Sequence, residues 1–193
     1  CADIIEKRIV QLASDIKVGD GADPNTQMGP LISPAAVERV TGLIRSAETE
    51  GAKVILDGRK VENRKGFYLN PTVISGVKPE MRIAREEVFG PVVCLARAST
   101  LDEAIAWINR SPFGNTTTLF TSSGAAARKF AYEVDPSMIG INIGVPSPMY
   151  FFSFGGCKDS FFGDLKAHGT TGAEFYTDTK VTIKRWNKDS SFW

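Results

Sequence analysis

Apolar residues recur at helical spacing near the start of the chain, at Ile5, Ile9, Leu12 and Ile16, so the pattern predicts an amphipathic helix over residues 2–16. Gly19-Asp20-Gly21 ends it, and a loop rich in turn formers follows, Asp23 to Ile32. Ser33 then stands where a helix N-cap belongs, with Pro34 at the first helical position. Ala36, Val40, Leu43 and Ala47 give that second helix its buried face, and Gly51 closes it. Lys53–Leu56 reads as a strand, followed by a charged loop through Lys65. Residues 67–74 are extended, with a break at Pro71.

From Pro91 onward the pattern is regular. Residues 91–95 read as a buried strand, and Thr100-Leu101-Asp102-Glu103 is a capping box opening a helix through Asn109. Thr116–Phe120 is a strand, residues 123–134 a helix with Ala127, Phe130, Ala131 and Val134 inward, and Ile139–Ile143 a further strand. Strand and helix alternating with short links imply right-handed crossovers and a parallel sheet. The expected class is α/β, an open, mainly parallel sheet with flanking helices. After Gly144 the periodicity fails, and Pro146 to Phe154 form an aromatic-rich loop that must be buried or bind something. Residues 173–186 alternate through β-branched side chains like a strand, which is a hazard at a terminus unless it pairs with another edge.

Composition narrows the classes. The 193 residues are 42% hydrophobic and 23% charged with a net charge of +1, ordinary for a globular protein and without an electrostatic case for nucleic acid or anionic membrane. No apolar run approaches the ~20 residues needed to span a bilayer. Cys1, Cys94 and Cys157 show neither metal-ligand spacing nor an evident pairing, so a reducing, intracellular setting is expected, with Cys94 a small buried hydrophobe. His168 is the single histidine, with no carboxylate or serine partner in its neighbourhood, and supports neither a triad nor a metal site. The chain opens on Cys1 rather than Met and runs straight into a helix, so it is expected to be a piece of a longer polypeptide. No dinucleotide or P-loop glycine fingerprint occurs; Gly140-Ile141-Asn142-Ile143-Gly144 does not open a helix.

The most informative stretch is Arg85-Glu86-Glu87-Val88-Phe89-Gly90-Pro91. Two carboxylates and a ring are held at the mouth of the strand that Gly90-Pro91 launches, where ligands of open α/β sheets tend to bind. The plainer alternative is a helix end with two solvated glutamates and a core Phe. Glu86 to Pro91 resembles the Glu-Glu-hydrophobic-Phe-Gly-Pro signature of the aldehyde dehydrogenase superfamily, and Met28-Gly29-Pro30-Leu31-Ile32 resembles that family's Gly-Pro-Leu-Ile stretch. Ile139 to Asn142, Ser153 to Lys158, Phe162-Gly163-Asp164 and Phe175-Tyr176-Thr177 are similar to its CoA-acylating methylmalonate-semialdehyde dehydrogenase branch. Gly144 to Pro148 departs from that branch, replacing a more proline-rich, apolar stretch.

The resemblance implies a C-terminal catalytic portion over residues 1–170 and an oligomerisation arm over 171–193, pairing as a strand with a neighbouring subunit in a homo-oligomer. The NAD-binding domain would lie outside this chain. Glu87 would hydrogen-bond the nicotinamide ribose hydroxyls, and Phe89 would pack beside the nicotinamide ring. Phe152 and Phe154 would wall the substrate tunnel, core packing being the other reading of these aromatics; an edge strand of its own domain is the other reading of the arm.

The implied reaction is thiolate attack on an aldehyde, hydride transfer to NAD and release of the thioester to CoA or water, in the cytoplasm or, in a eukaryote, the mitochondrial matrix. Cys157 falls at a variable position of the family pattern and Cys1 lacks the Ala-rich sequel of its reactive cysteine. The nucleophile and the family's general-base glutamate are therefore expected upstream, no residue here is assigned as catalytic or as a metal ligand, and the chain alone is expected to be inactive. The competing class is a non-catalytic α/β module that serves assembly and has no use for Glu87.

Overall fold

A computed structural model describes residues 1–61 and 65–186. The part of the charged loop at 62–64 and the part of the expected arm at 187–193 lie outside the described residues. The chain packs as two compact units, Cys1–Trp107 and Ile108–Trp193. The α/β class holds in both.

The first unit is built around helix α2 (Pro34–Thr49), which follows α1 (Ala2–Ser14). The Ser33 hydroxyl accepts the Ala36 N–H at 3.2 Å and Pro34 occupies the first turn, so the predicted start is realised. Gly51, just past the helix, takes φ +98°, a left-handed stop that glycine adopts without steric cost. Val40, Leu43, Ile44 and Ala47, at i, i+3, i+4 and i+7, are all buried. They join Ala52, Leu69, Ile74, Val77, Met81 and Ile83 in one apolar cluster.

The sheet beneath this cluster has the order β1 (Lys53–Leu56), β2 (Thr72–Ser75), β3 (Val92–Leu95). β1 and β2 are antiparallel, with a bulge between Val54 and Leu56. β2 and β3 are parallel, Thr72 opposite Val92 through Ser75 opposite Leu95. Thr72 is buried, and its hydroxyl accepts the Gly58 N–H at 3.0 Å. A Cβ on Gly58 would lie 1.8 Å from the Asn70 carbonyl oxygen, so only glycine allows this approach. Arg59 bridges Glu48 at 2.6 Å and Asp57 at 2.8 Å, and its hydrogen bond pulls the Asp57 carboxyl down to about 2.

Two expectations fail in this unit. Ile5 and Leu12 of α1 are half exposed and only Ala13 is buried, because the helix is tied down through its polar face. Ser75 donates to Glu6 at 2.5 Å, and Arg97 pairs with Asp3 at 2.7 Å and Glu6 at 3.1 Å. Nor is Cys94 buried: among the described residues β3 has a neighbour on one side only, and Val93 and Cys94 are exposed.

Helix α4 (Leu101–Arg110), after the short α3 (Arg82–Arg85), begins with the predicted box. Thr100 Oγ1 accepts the Glu103 N–H at 3.1 Å, and the Glu103 carboxylate accepts the Ser99 N–H at 2.7 Å. In the second unit β5 (Thr116–Leu119) and β6 (Met138–Ile141) run parallel on either side of α5 (Gly124–Glu133) in sequence, as the alternation requires. Phe130 and Val134 are buried, whereas Ala131 is exposed. β4 (Phe113–Gly114) pairs antiparallel with β7 (Cys157–Lys158). Parallel pairing is thus present in each unit, β2 with β3 in the first and β5 with β6 in the second.

The strand expected over residues 173–186 does not form in the single chain. Gly169–Phe175 is helix α6, and residues 177–186 are exposed and belong to no helix or strand. A strand exists only through ladder hydrogen bonds to a neighbour, and no described residue supplies one to this segment.

Candidate functional site

Two loops that are far apart in sequence meet in the first unit. Met28 to Ile32, Phe89 to Pro91 and the first turns of α2 line an open cavity of about 940 Å³. Its walls are apolar apart from Arg39. Both wall-forming loops were singled out in the sequence, but separately, and nothing in their residues shows that they share a cavity.

The segment Glu86 to Pro91 is held against α2. A Cβ on Gly90 would stand 2.7 Å from the Val40 side chain, so the glycine lets the backbone rest on the helix. Arg39, one residue earlier, donates from Nη1 to the Glu87 carbonyl at 3.0 Å and from Nη2 to the Val88 carbonyl at 2.6 Å. Phe89 has φ +45°, in the left-handed region where a bulky residue costs on the order of 1–3 kcal/mol. Its side chain is 75% exposed and lines the cavity.

The adjacent carboxylates differ. Glu86 is bound by Arg82, Nε to Oε1 at 2.6 Å and Nη2 to Oε2 at 3.1 Å, and this hydrogen bonding holds its carboxyl below the usual range. The Glu87 carboxylate is exposed and has no hydrogen-bond or ion-pair partner among the described residues. An ionised carboxylate with free lone pairs beside a solvent-facing ring can take the paired hydroxyls and planar heterocycle of a nucleoside.

Phe152 and Phe154 belong to the second unit. The loop carrying them is tied to residues 167–169: Phe154 and Ala167 exchange backbone hydrogen bonds of 2.7 and 2.9 Å, and Gly169 N–H reaches the Tyr150 carbonyl at 3.0 Å. Phe152 is 59% exposed and stacks on Phe151 at 4.7 Å. Phe154, about one-third exposed, lies 5.5 Å from the His168 ring.

Cys157 is built into β7. Its thiol lies 3.3 Å from both the Gly114 and the Asp135 carbonyl oxygens, either of which can accept its one proton. Lys158, whose charge could have favoured a thiolate, is bound instead to Asp135 at 2.9 Å and to the Asn109 carbonyl at 2.7 Å. Arg39 is the residue the sequence did not single out. It sits on the exposed face of α2, and only a contact across 48 positions reveals its role.

This architecture has a family. The sequence model of the aldehyde dehydrogenase family matches residues 1–182, and the chain belongs to that family. A human protein named methylmalonate-semialdehyde/malonate-semialdehyde dehydrogenase [acylating], mitochondrial is 43% identical over 95% of this chain and 35% of its own length. A methylmalonate-semialdehyde dehydrogenase crystal structure from Oceanimonas doudoroffii superposes with a TM-score of 0.92 at 40% identity, covering 97% of this chain and 39% of that one. An aldehyde dehydrogenase C mutant from Pseudomonas syringae, solved with NAD+ and octanal, superposes at 0.84 with 36% identity, over 93% of this chain and 36% of that one. The chain thus spans little more than a third of the length of each of these proteins.

Proposed function

We propose that residues 1–193 are the C-terminal portion of a longer NAD-dependent, CoA-acylating aldehyde dehydrogenase that oxidises methylmalonate semialdehyde or a related small semialdehyde. One observation carries the reading: the Glu87 carboxylate, exposed and without a partner among the described residues, stands two positions before a strained, exposed Phe89 that lines a cavity formed by two family motifs. These residues fit the nicotinamide end of NAD. Glu87 accepts the ribose hydroxyls, and Phe89 orients the planar ring from one face. NAD, when bound, supplies the hydride acceptor. The semialdehyde and the CoA acceptor are suggested by the human relative's name.

In this reading residues 1–170 are the catalytic portion and 171–193 an arm. Phe152 and Phe154 wall the aldehyde's path, and the reacting cysteine and the remaining dinucleotide contacts come from chain outside these residues. An assembly module without catalysis has no use for an exposed carboxylate, unpaired among the described residues, two positions before a strained phenylalanine. The test is NADH formation at 340 nm from methylmalonate semialdehyde with CoA. The full-length polypeptide should turn over and residues 1–193 alone should not. Turnover by the isolated segment, abolished in Cys157→Ser, would place the nucleophile here instead.

The arm is proposed to pair with another subunit, since Val181, Ile183 and Trp186 are largely exposed in the single chain. Deleting residues 173–193 from the full-length protein should reduce its mass in light scattering to that of smaller assemblies. An unchanged mass would make the segment an element of its own subunit. Among the described residues no helix is long and apolar enough to cross a membrane. We place the enzyme in the cytoplasm, or in the mitochondrial matrix if the source is eukaryotic, which cell fractionation would check.

A further inference from the structure

Arg39 grips the backbone of the segment that carries Glu87 and Phe89. Its two Nη atoms reach the carbonyls of consecutive residues, Glu87 at 3.0 Å and Val88 at 2.6 Å. A guanidinium is a rigid planar fork, so two bonds from one fork fix both the position and the tilt of the peptide between those carbonyls. The next residue, Phe89, holds φ +45°, a conformation that persists only where its surroundings over-determine it. Gly90 then rests on Val40, the neighbour of Arg39, so α2 holds the segment at two successive points. The side chains have no comparable anchor: the Glu87 carboxylate has no partner among the described residues, and the Phe89 ring is mostly exposed. Their directions are therefore set by the backbone, and the backbone is set by Arg39.

We propose that Arg39 is a positioning residue, whose two-pronged grip on the Glu87 and Val88 carbonyls fixes how Glu87 and Phe89 are presented to the nicotinamide end of NAD. The proposal rests on the reading of that site given above. It differs from a direct electrostatic role, in which any cation at position 39 would serve the cofactor's phosphates. Lysine separates the two, because it keeps the charge but cannot span two carbonyls with a planar fork. Arg39 is exposed and outside the apolar cluster, so its replacement leaves the core intact.

The experiment uses Arg39→Lys and Arg39→Ala in the full-length polypeptide, with two readouts. The first is the rate of cleavage after Glu86 and Glu87 by a glutamate-specific protease, compared with cleavage after Glu133. The second is the NADH dissociation constant from fluorescence titration. Both variants should be cut faster at Glu86 and Glu87 only, and both should bind NADH about tenfold more weakly, the scale of one or two lost hydrogen bonds. Added guanidinium ion should partly restore NADH binding to Arg39→Ala. A lysine variant that is cut and binds NADH like the parent, while alanine fails, would overturn the proposal in favour of charge alone. Unchanged cleavage in both variants would overturn it outright. If Glu87→Gln leaves NADH binding unchanged, the nicotinamide reading fails, while the cleavage rates still decide whether Arg39 holds the segment.

Discussion

Replacing Ile44 by alanine is expected to lower the unfolding free energy by about 2–5 kcal/mol. Ile44 is completely buried in the middle of α2, among Val40, Leu43 and Ala47 of its own helix and Ile74 of the central strand. Truncation removes three methyl or methylene groups and leaves a cavity that a helix pinned at both ends cannot collapse to fill. Against the 5–15 kcal/mol typical of a whole domain, that is a large share. Ile44→Val, which removes one carbon, should cost about 0.5–1.5 kcal/mol. Urea unfolding followed by circular dichroism measures both, and a loss under about 1 kcal/mol for alanine would show that α2 is not the centre of this core. The loss would also reach the site, because Arg39 and Val40 of the same helix hold the Glu87 to Gly90 segment.

How much of this was legible in the sequence depends on how local the determining interaction is. The two ends of α2, the box at Thr100 and Glu103, and the positions of β1, β3 and β5 all follow from residues within a few places of one another. Pairing partners do not. Nothing in Val92 to Leu95 says that the neighbour is Thr72 to Ser75, 20 positions earlier in the chain. Burial failed at edges for the same reason: the apolar stripe of α1 and the thiol of Cys94 have the right residue types but are only partly covered by the described residues. The alternation over residues 173–186 is a genuine β pattern, yet it specifies a strand only when an edge is offered.

The candidate site was legible as a stretch and illegible as a geometry. Residue types drew attention to Glu86, Glu87 and Phe89, and the family resemblance pointed to Glu87; what the sequence could not show is that Arg82 occupies Glu86 while Glu87 has no partner among the described residues. The cavity required Met28 to Ile32 to fold beside Phe89 to Pro91, and the backbone grip required Arg39, whose exposed helical position looks like any solvated arginine.

The second large effect belongs to Glu87. In the full-length polypeptide, Glu87→Gln keeps the size of the side chain and its exposed setting, so folding should be unaffected. In the proposed role, what is lost is the charge that would strengthen hydrogen bonds from two ribose hydroxyls. Hydrogen bonds to a charged group are worth about 1.5–3 kcal/mol, which corresponds to a factor on the order of 10–150 in affinity. Glu86→Gln is the matched control, since Arg82 already engages that carboxylate. The measurement that bears most directly on the nicotinamide assignment is NADH fluorescence titration of these two variants beside the parent. Glu87→Gln should bind NADH at least about tenfold more weakly, and Glu86→Gln should stay within about threefold of the parent. Parent-like binding by Glu87→Gln, or an equal loss in Glu86→Gln, would contradict the assignment of Glu87 to the cofactor.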